Sequence, residues 1–362
     1  MSRHVVIVGG GIVGCLTAME LVQRGCRVTI VERNQIASQT SGESSWAGAG
    51  IMFPLLPWMY SDQVNTLTHY GAQHYGEICA QLLRDTGIDP QMLNSGFLLL
   101  PTFDRTQALD WCERYQVTAR AVSAADYGVQ SPHDDEALWL PEVNQVRPPC
   151  LMHALRAWLE QKQVRLLEHT QLLPLPAGTD QLTAWQTQDG EWISGDQFVV
   201  TSGAWSFELL KGVASQLQIK PMRGQIVLYK PVKNLNTVIY REGFYLVPRR
   251  DGYLLAGSTL EDVGFDPSTT PEVLAEIRQK AEAILPELSG LPIIKHWSGL
   301  RPGTPENLPV IGAHPSVGNL FLNTGHFRYG LTMGPGSARL VAALICGDQP
   351  WTDPSPYALP EH

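Results

Sequence analysis

Residues 5–14 of the chain read VVIVGGGIVG. The first four form a short apolar run that is typical of a buried strand, and the glycines end it. Residues 12–24 then follow a helical pattern that Gly25 closes, and Arg27-Val28-Thr29-Ile30-Val31 is a second strand-like run. A strand, a helix and a strand in this order predict a βαβ unit, and therefore a parallel sheet.

The glycines fit the pattern G-x-G-x-x-G at Gly9, Gly11 and Gly14, and Glu32 ends the second strand 18 residues after the last of them. The first glycine permits a tight turn, the second lets a pyrophosphate approach the backbone, and the third lets the helix pack closely on the strand. The amino terminus of the helix faces the phosphates. A carboxylate at Glu32 accepts hydrogen bonds from ribose hydroxyls and repels a 2′-phosphate, so NADP is disfavoured. The pattern does not separate FAD from NAD.

Composition excludes several classes of protein. The chain has 362 residues, enough for roughly two domains, and a formal net charge of −9. Nonspecific nucleic-acid binding needs clustered cations, so it is not expected. No apolar stretch approaches the ~20 residues of a membrane helix, and the chain enters its first strand without a basic leader. We expect a soluble, cytoplasmic protein, and the sequence leaves open whether it is a homo-oligomer.

Cysteine and histidine spacing indicates neither a metal site nor a redox pair. The six cysteines include no CxxC pair, and the ten histidines include no HExxH arrangement. In a chain of this size reduced, mostly buried thiols are the simplest interpretation. We therefore expect no metal.

The pattern of predicted helices and strands changes twice along the chain. Helix and strand patterns alternate at first, residues 224–258 are rich in strands, and an α/β pattern returns at the end. We predict an α/β fold in which a Rossmann-type domain carries an inserted, antiparallel β-rich α+β domain. The predicted nucleotide domain comprises residues 1–80, 141–220 and 296–362, and the predicted substrate domain comprises 81–140 and 221–295.

Four stretches resemble a known family over nearly the whole chain. The most specific is Trp297-Ser298-Gly299-Leu300-Arg301-Pro302-Gly303-Thr304 with Leu308–Gly312 after it, and the others are Val5–Glu32, Ser44–Ile51 and Gly325–Gly336. The chain resembles the D-amino-acid oxidase superfamily of FAD enzymes, most closely the glycine oxidases of thiamine biosynthesis. The resemblance implies a glutathione-reductase-like fold, bound FAD, and oxidation of the C–N bond of a small amino acid or amine.

The resemblance also implies which residues contact FAD. Small residues in the Ser/Gly/Ala-rich loop 37–50 would let backbone amides reach the flavin and ribityl oxygens, and the turn before the last long helix would hold the pyrimidine end. The expected cofactor residues are Gly9, Gly11, Ile12, Val13, Gly14, Glu32, Arg33, Ser44, Ser45, Ala49, Gly50, Ile51, Leu172, Gly203, His326, Phe327, Arg328, Tyr329, Gly330, Leu331 and Thr332. No Cys lies between Cys150 and Cys346, so the FAD is expected to be non-covalent.

Amino-acid oxidation at a flavin depends mainly on positioning, so the site needs a cation for the substrate carboxylate. Arg301 stands at the position of the family's carboxylate-binding arginine, and a guanidinium fork matches a carboxylate in a bidentate way. An ion pair with Glu306 is the structural alternative. Arg328 and Tyr245 match further residues near the substrate, with a loop tether and a core tyrosine as their alternatives.

Pocket walls are the least specific part of the prediction. Met52, Phe53, Tyr240 and Leu260 are candidates, although each is also an ordinary core residue type. The family pattern has Gly at 53, Met at 260, His at 243 and Asn at 329, where this chain has Phe53, Leu260, Gly243 and Tyr329. A bulky Phe53 should narrow the entrance, and these differences leave the preferred substrate open.

Three functions remain compatible with the sequence. The first is an oxidase of glycine or small amines that returns electrons to O₂ and releases H₂O₂. The second is an amino-acid dehydrogenase of the same family that passes electrons to a quinone or a partner subunit. The third is a non-catalytic protein that binds NAD or FAD.

Overall fold

A computed structural model describes residues 2–40, 42–131, 136–230 and 235–360. The βαβ unit forms as the sequence predicts, and the fold contains two main sheets. The helices are α1 (Ile12–Gln23), α2 (Ser44–Ala47), α3 (Asp62–Thr86), α4 (Arg105–Arg114), α5 (Pro148–Gln161), α6 (Ser206–Leu210), α7 (Pro271–Ile284) and α8 (Gly330–Cys346). The strands are β1 (His4–Val8), β2 (Arg27–Val31), β3 (Leu93–Asn94), β4 (Phe97–Leu99), β5 (Arg120–Val122), β6 (Ala137–Leu140), β7 (Asn144–Gln145), β8 (Arg165–Leu167), β9 (Ala184–Gln186), β10 (Trp192–Ser194), β11 (Gln197–Val200), β12 (Lys220–Tyr229), β13 (Val238–Arg241), β14 (Phe244–Pro248), β15 (Leu254–Gly257), β16 (Ile293–Gly303), β17 (Val310–Ala313) and β18 (Leu320–Thr324).

The first sheet has six strands in the order β17-β18-β11-β1-β2-β8. All neighbours are parallel except β17 and β18 at one edge. After their first residues, β1 and β11 are apolar and completely or almost completely buried, as expected for a parallel sheet covered on both faces. Because β1 lies in the middle of the order, its carboxyl end opens where the chain crosses from one half of the sheet to the other. In open α/β sheets ligands bind at such a point.

The second sheet has eight strands in the order β16-β12-β15-β14-β13-β4-β6-β5. It is antiparallel apart from the parallel pair β13 and β4. Helix α7 packs against β12 and β15 and buries Ile277, Ala281 and Ile284. The fold class predicted from the sequence is confirmed by these two sheets together.

Most element boundaries fall close to those expected from the sequence. Helix α3 ends at Thr86, and Gly87 after it adopts the left-handed conformation that glycine favours. The Ser/Gly/Ala-rich loop contains one helical turn, α2, and Ser41 of this loop lies outside the described residues. Strand β16 spans residues 293–303 and so continues the second sheet past residue 296, where the sequence places a domain boundary. The division into domains stays a prediction.

Candidate active site

Two adjoining cavities open along the carboxyl ends of β1, β2 and β11. The first has a volume of about 350 Å³ and the second about 160 Å³. Both cavities are lined by Gly11, Ser44, Ser45, Thr201 and Gly203. Since these five residues line both cavities, the cavities form one elongated groove. Such a groove suits a long ligand that occupies both of them.

The glycine turn packs β1 and α1 closely together at the junction of the cavities. A Cβ atom on Gly14 would lie 2.0 Å from the carbonyl oxygen of Gly9, so no side chain fits there. The backbone N–H of Ile12, in the first turn of α1, donates to Ser45 Oγ at 2.9 Å. Gly11 at the N-cap has no side chain to cap this terminus, and Gly11, Ile12 and Val13 line the second cavity. This is the arrangement that binds a pyrophosphate.

Glu32 closes the other side of the turn. Its Oε2 accepts a hydrogen bond from the N–H of Gly10 at 2.7 Å, and its Oε1 accepts one from the N–H of Asn34 at 2.9 Å. The carboxylate is half-buried and lines the first cavity. It therefore fixes the shape of the glycine turn, and each of its oxygens has a further lone pair for a ribose hydroxyl.

Arg249 fixes the loop after α2 by hydrogen bonds to backbone carbonyl groups. This buried guanidinium donates to the carbonyl of Ala49 at 2.8 Å and to the carbonyl of Val146 at 3.1 Å. Burial lowers the pKa of Arg249 to about 10. The sequence did not single this residue out. Its contacts orient a stretch of backbone that forms a wall of the second cavity.

The structure brings nearly all of the expected cofactor residues to the groove. Those at the first cavity are Gly9, Gly11, Glu32, Arg33, Ser44, Ser45, Leu172 and Gly203. Those at the second cavity are Ile12, Val13, Ala49, Gly50, Ile51, His326, Phe327, Arg328, Tyr329, Gly330, Leu331 and Thr332. Gly14 lies behind the turn, where its role is packing. Trp205 was not anticipated, although it lines the first cavity and stacks under Arg33, whose guanidinium carbon is 3.5 Å from the ring centroid.

Several buried polar atoms along the groove have no hydrogen-bond partner in the described part of the chain, and they indicate what kind of ligand fits there. Ser202 Oγ at the first cavity, and Asn323 Oδ1 and His326 Nε2 at the second, are buried without a hydrogen-bond partner among the described residues. A buried polar atom without a partner is costly, so these atoms indicate a polar ligand. With the glycine turn and Glu32, the residues present fit FAD, and the first cavity would hold its adenosine and the second its flavin.

His326 gives this site a defined response to acid. Burial lowers the pKa of His326 to about 3, whereas the side chain in an unfolded chain titrates near 6.5. Between these values the unfolded chain binds a proton that the folded chain does not, so the free energy of unfolding falls as the pH falls below about 6.5. Above that pH the effect is absent.

His326→Asn should therefore reduce the acid sensitivity of the protein. Lowering the pH from 7.5 to 5 should cost the native chain about 2 kcal/mol more than the variant. Urea unfolding at both pH values with saturating FAD measures the difference. An equal loss of stability in the two proteins would contradict the low pKa.

Arg301 reaches the second cavity from the edge of the second sheet. Its Nη1 donates to the carbonyl of Thr259 at 3.1 Å and its Nη2 to Ser258 Oγ at 2.7 Å. Burial lowers the pKa of Arg301, which also donates a hydrogen bond to the hydroxyl of Tyr245. Glu306 is exposed and forms no ion pair with Arg301 in the structure. The guanidinium thus faces the cavity without a carboxylate partner in the described part of the chain.

Some of the other expected substrate residues line the second cavity, and some do not. Tyr245, Arg328 and Phe53 line the second cavity together with Arg301. Phe53 packs against Phe97, with 5.5 Å between ring centroids. Arg328 is exposed, and its guanidinium carbon lies 5.5 Å from the ring centroid of Phe327.

Three candidate wall residues do not line either cavity. Tyr240 stacks against Phe97 at 5.7 Å in the core, and Met52 is buried. Leu260 is 43% exposed and follows the end of β15. The structure instead places Leu55 and Ser258 at the cavity, and neither was expected from the sequence.

The chain was compared with known proteins. A family model described as FAD dependent oxidoreductase, DAO, matches residues 4–344. Glycine oxidase of Pseudomonas aeruginosa is 41% identical over 365 residues, with 99% of each chain covered. Glycine oxidase of Pseudomonas putida is 38% identical over 367 residues, covering 99% of this chain and 98% of the other. The crystal structure of glycine oxidase from Geobacillus kaustophilus superposes with a TM-score of 0.88 at 25% identity, with 100% of each chain covered.

The matches agree with the structure in two respects: the cofactor that the groove fits, and the part of the chain that is matched. The matched family requires FAD, and the groove has a glycine turn at a helix terminus, a carboxylate for the ribose and unsatisfied polar atoms along its length. The family match spans both sheets, including β16 and the turn before α8. The chain belongs to the DAO family of FAD-dependent oxidoreductases.

Proposed function

We propose that the protein oxidises the Cα–N bond of glycine or another small amino acid or amine, with O₂ as the electron acceptor. The product imine then hydrolyses to an oxo acid or aldehyde, and O₂ leaves as H₂O₂. The similarity to two glycine oxidases at 41% and 38% identity supports the choice of substrate.

The observation that carries the proposal is the unpaired cation at the second cavity. Arg301 presents a rigid fork of N–H donors to that space, and among the described residues no carboxylate neutralises it. A buried charge is costly unless it is paired. A substrate carboxylate would supply the missing partner and would be held in one orientation.

Aromatic rings limit the size of what Arg301 can hold. Phe53 and Tyr329 are both almost completely buried at the cavity. Tyr329 Oη donates to Tyr60 Oη at 2.8 Å and accepts from the N–H of Leu55 at 3.4 Å. These contacts fix Leu55 and Tyr329 in the cavity wall. A wall of fixed, bulky side chains favours a substrate with a small side chain or none.

The second cavity also has a feature that suits the electron-accepting flavin, the amino terminus of α8. When bound, FAD supplies the acceptor for a hydride from Cα. The amino terminus of α8 begins at Gly330 beside the second cavity, and no acidic residue lies in its first turn. The positive end of the helix dipole there would stabilise negative charge on a bound, reduced flavin. The described residues around Arg301 thus bind and orient the substrate.

A substrate screen tests the proposal. Glycine, sarcosine, D-alanine, D-proline and simple amines are added to the yellow protein under argon, and bleaching of the flavin identifies substrates. Turnover in air is then followed as H₂O₂ formed and compared with reduction of an artificial dye. Bleaching by glycine with H₂O₂ formed in step supports the proposal. Bleaching without H₂O₂, but with fast dye reduction, would replace the oxidase with a dehydrogenase.

FAD should be released from the protein without breaking a covalent bond. None of the residues that line the two cavities is a cysteine. Acid precipitation should leave the yellow colour in the supernatant, where its absorption spectrum identifies it. Colour that stays with the precipitated chain would show a covalent link.

A further inference from the structure

A glycine in β12 lets Arg301 reach across that strand. β12 lies between β16, which carries Arg301, and β15. A Cβ atom on Gly224 would lie 2.1 Å from Arg301 Nη1, so the guanidinium occupies the space above this glycine. Arg301 can therefore contact the chain beyond the end of β15.

Ser258 is the residue that Arg301 meets there. Arginine has five N–H donors and no acceptor, so Ser258 Oγ must be the acceptor of the 2.7 Å bond from Nη2. The hydroxyl hydrogen of Ser258 is then left over, and no acceptor for it lies among residues 2–40, 42–131, 136–230 and 235–360. Ser258 is partly exposed, and it lines the second cavity beside Arg301 and Tyr245.

The loop after Ser258 is fixed by ion pairs to one buried arginine, Arg223. Arg223, 4% exposed, donates to Glu261 and to Asp266, each at 2.7 Å. Thr259 Oγ1 donates to Glu261 at 2.5 Å, and the carbonyl of Thr259 accepts from Arg301. The position of the Ser258 hydroxyl is therefore set before a ligand arrives.

We propose that Ser258 is a substrate-binding residue whose hydroxyl donates a hydrogen bond to the carboxylate held by Arg301. This proposal rests on the proposed function, because it takes Arg301 as the carboxylate site. Arg301 has N–H groups remaining after Thr259, Ser258 and Tyr245 have each accepted one. A carboxylate has about four acceptor sites, so it can accept from the fork and from the hydroxyl together.

The first test removes the hydroxyl. Ser258→Ala in the FAD-loaded protein should weaken binding of glycolate, a carboxylate that is not an amine, by about ten- to a hundredfold, as for a hydrogen bond to a charged group. The change in flavin absorbance reports binding, and kcat/KM for glycine should fall in parallel. FAD affinity and the thermal midpoint should be unchanged. A glycolate dissociation constant within twofold of the native value would overturn the proposal.

A double-mutant cycle separates direct contact from positioning of Arg301. In an Arg301→Ala background the guanidinium no longer needs support. Adding Ser258→Ala should then lower kcat/KM for glycine by a further threefold or more, roughly the lower end of a single hydrogen bond. No further loss would mean that Ser258 acts only through Arg301, which would overturn the direct contact.

Two comparisons make the outcomes distinguishable. Ser298→Ala is the matched control, because Ser298 lies on the same strand as Arg301 but its hydroxyl donates to the carbonyl of Pro267. It should leave glycolate binding unchanged. If Arg301→Ala binds glycolate normally, the carboxylate site of the proposed function fails. If Arg301→Ala loses glycolate and Ser258→Ala does not, only the assignment of Ser258 fails.

Discussion

Arg301→Ala should lower kcat/KM for amino-acid substrates by about 30- to several thousand-fold. The substitution removes a charged, two-pronged contact from a partly buried site, and loss of such a contact costs about 2–5 kcal/mol. The loss should be selective, since amines without a carboxylate do not use the contact. Steady-state kinetics with glycine and with a simple amine measure both effects.

The variant should keep its FAD, because Arg301 contacts Thr259 and Ser258 at the substrate end of the groove. Arg301→Lys retains the charge but not the planar fork, and should fall between the native enzyme and the alanine variant. Arg105→Ala removes an exposed arginine paired with Glu136 and serves as the control. An equal loss for amines and amino acids would mean that Arg301 supports the fold or the flavin. No loss would favour an amine as the natural substrate.

Glu32→Lys should weaken FAD binding by one to two decades. The substitution removes the acceptor for the N–H groups of Gly10 and Asn34 and places a cation where ribose hydroxyls need an acceptor. A charge-assisted hydrogen bond of this kind is worth about 1.5–3 kcal/mol. Quenching of FAD fluorescence on titration with the apoprotein gives the dissociation constant.

The matched control for this variant is Glu191→Lys, which makes the same charge change at an exposed residue. It should bind FAD as the native protein does. Glu32→Gln separates charge from hydrogen bonding, since one amide oxygen remains to accept. An unchanged dissociation constant for Glu32→Lys would remove Glu32 from the cofactor site.

The cofactor half of the groove was predictable because its residues are close in sequence. Gly9, Gly14 and Glu32 lie within one βαβ unit, whose geometry follows from local patterns. The loop before Ile51 and the turn before α8 were placed by family resemblance, and the structure brings both to the same cavity. Gly14 differs from the rest, because its role is to let α1 approach β1.

The substrate half depends on contacts that sequence patterns do not encode. Arg301 and Ser258 are 43 residues apart, and they meet only because Gly224 leaves space on the strand between them. Tyr240 lies opposite Tyr245 in the antiparallel register, yet it packs on Phe97 in the core. Leu260 lies beyond the end of its strand, so the alternation of a strand does not determine where its side chain points.

The order of strands in the six-stranded sheet also governs when the cofactor can bind during synthesis. Strand β1 lies between β2 and β11, and β11 pairs with β18, which ends at residue 324. The glycine turn is therefore translated well before residues 323–332, which line the second cavity. At about 5–20 residues per second, this interval lasts from roughly a quarter of a minute to a minute. During that time β11 lacks its partner β18, and a chain that stops before β18 lacks residues 323–332 of the second cavity.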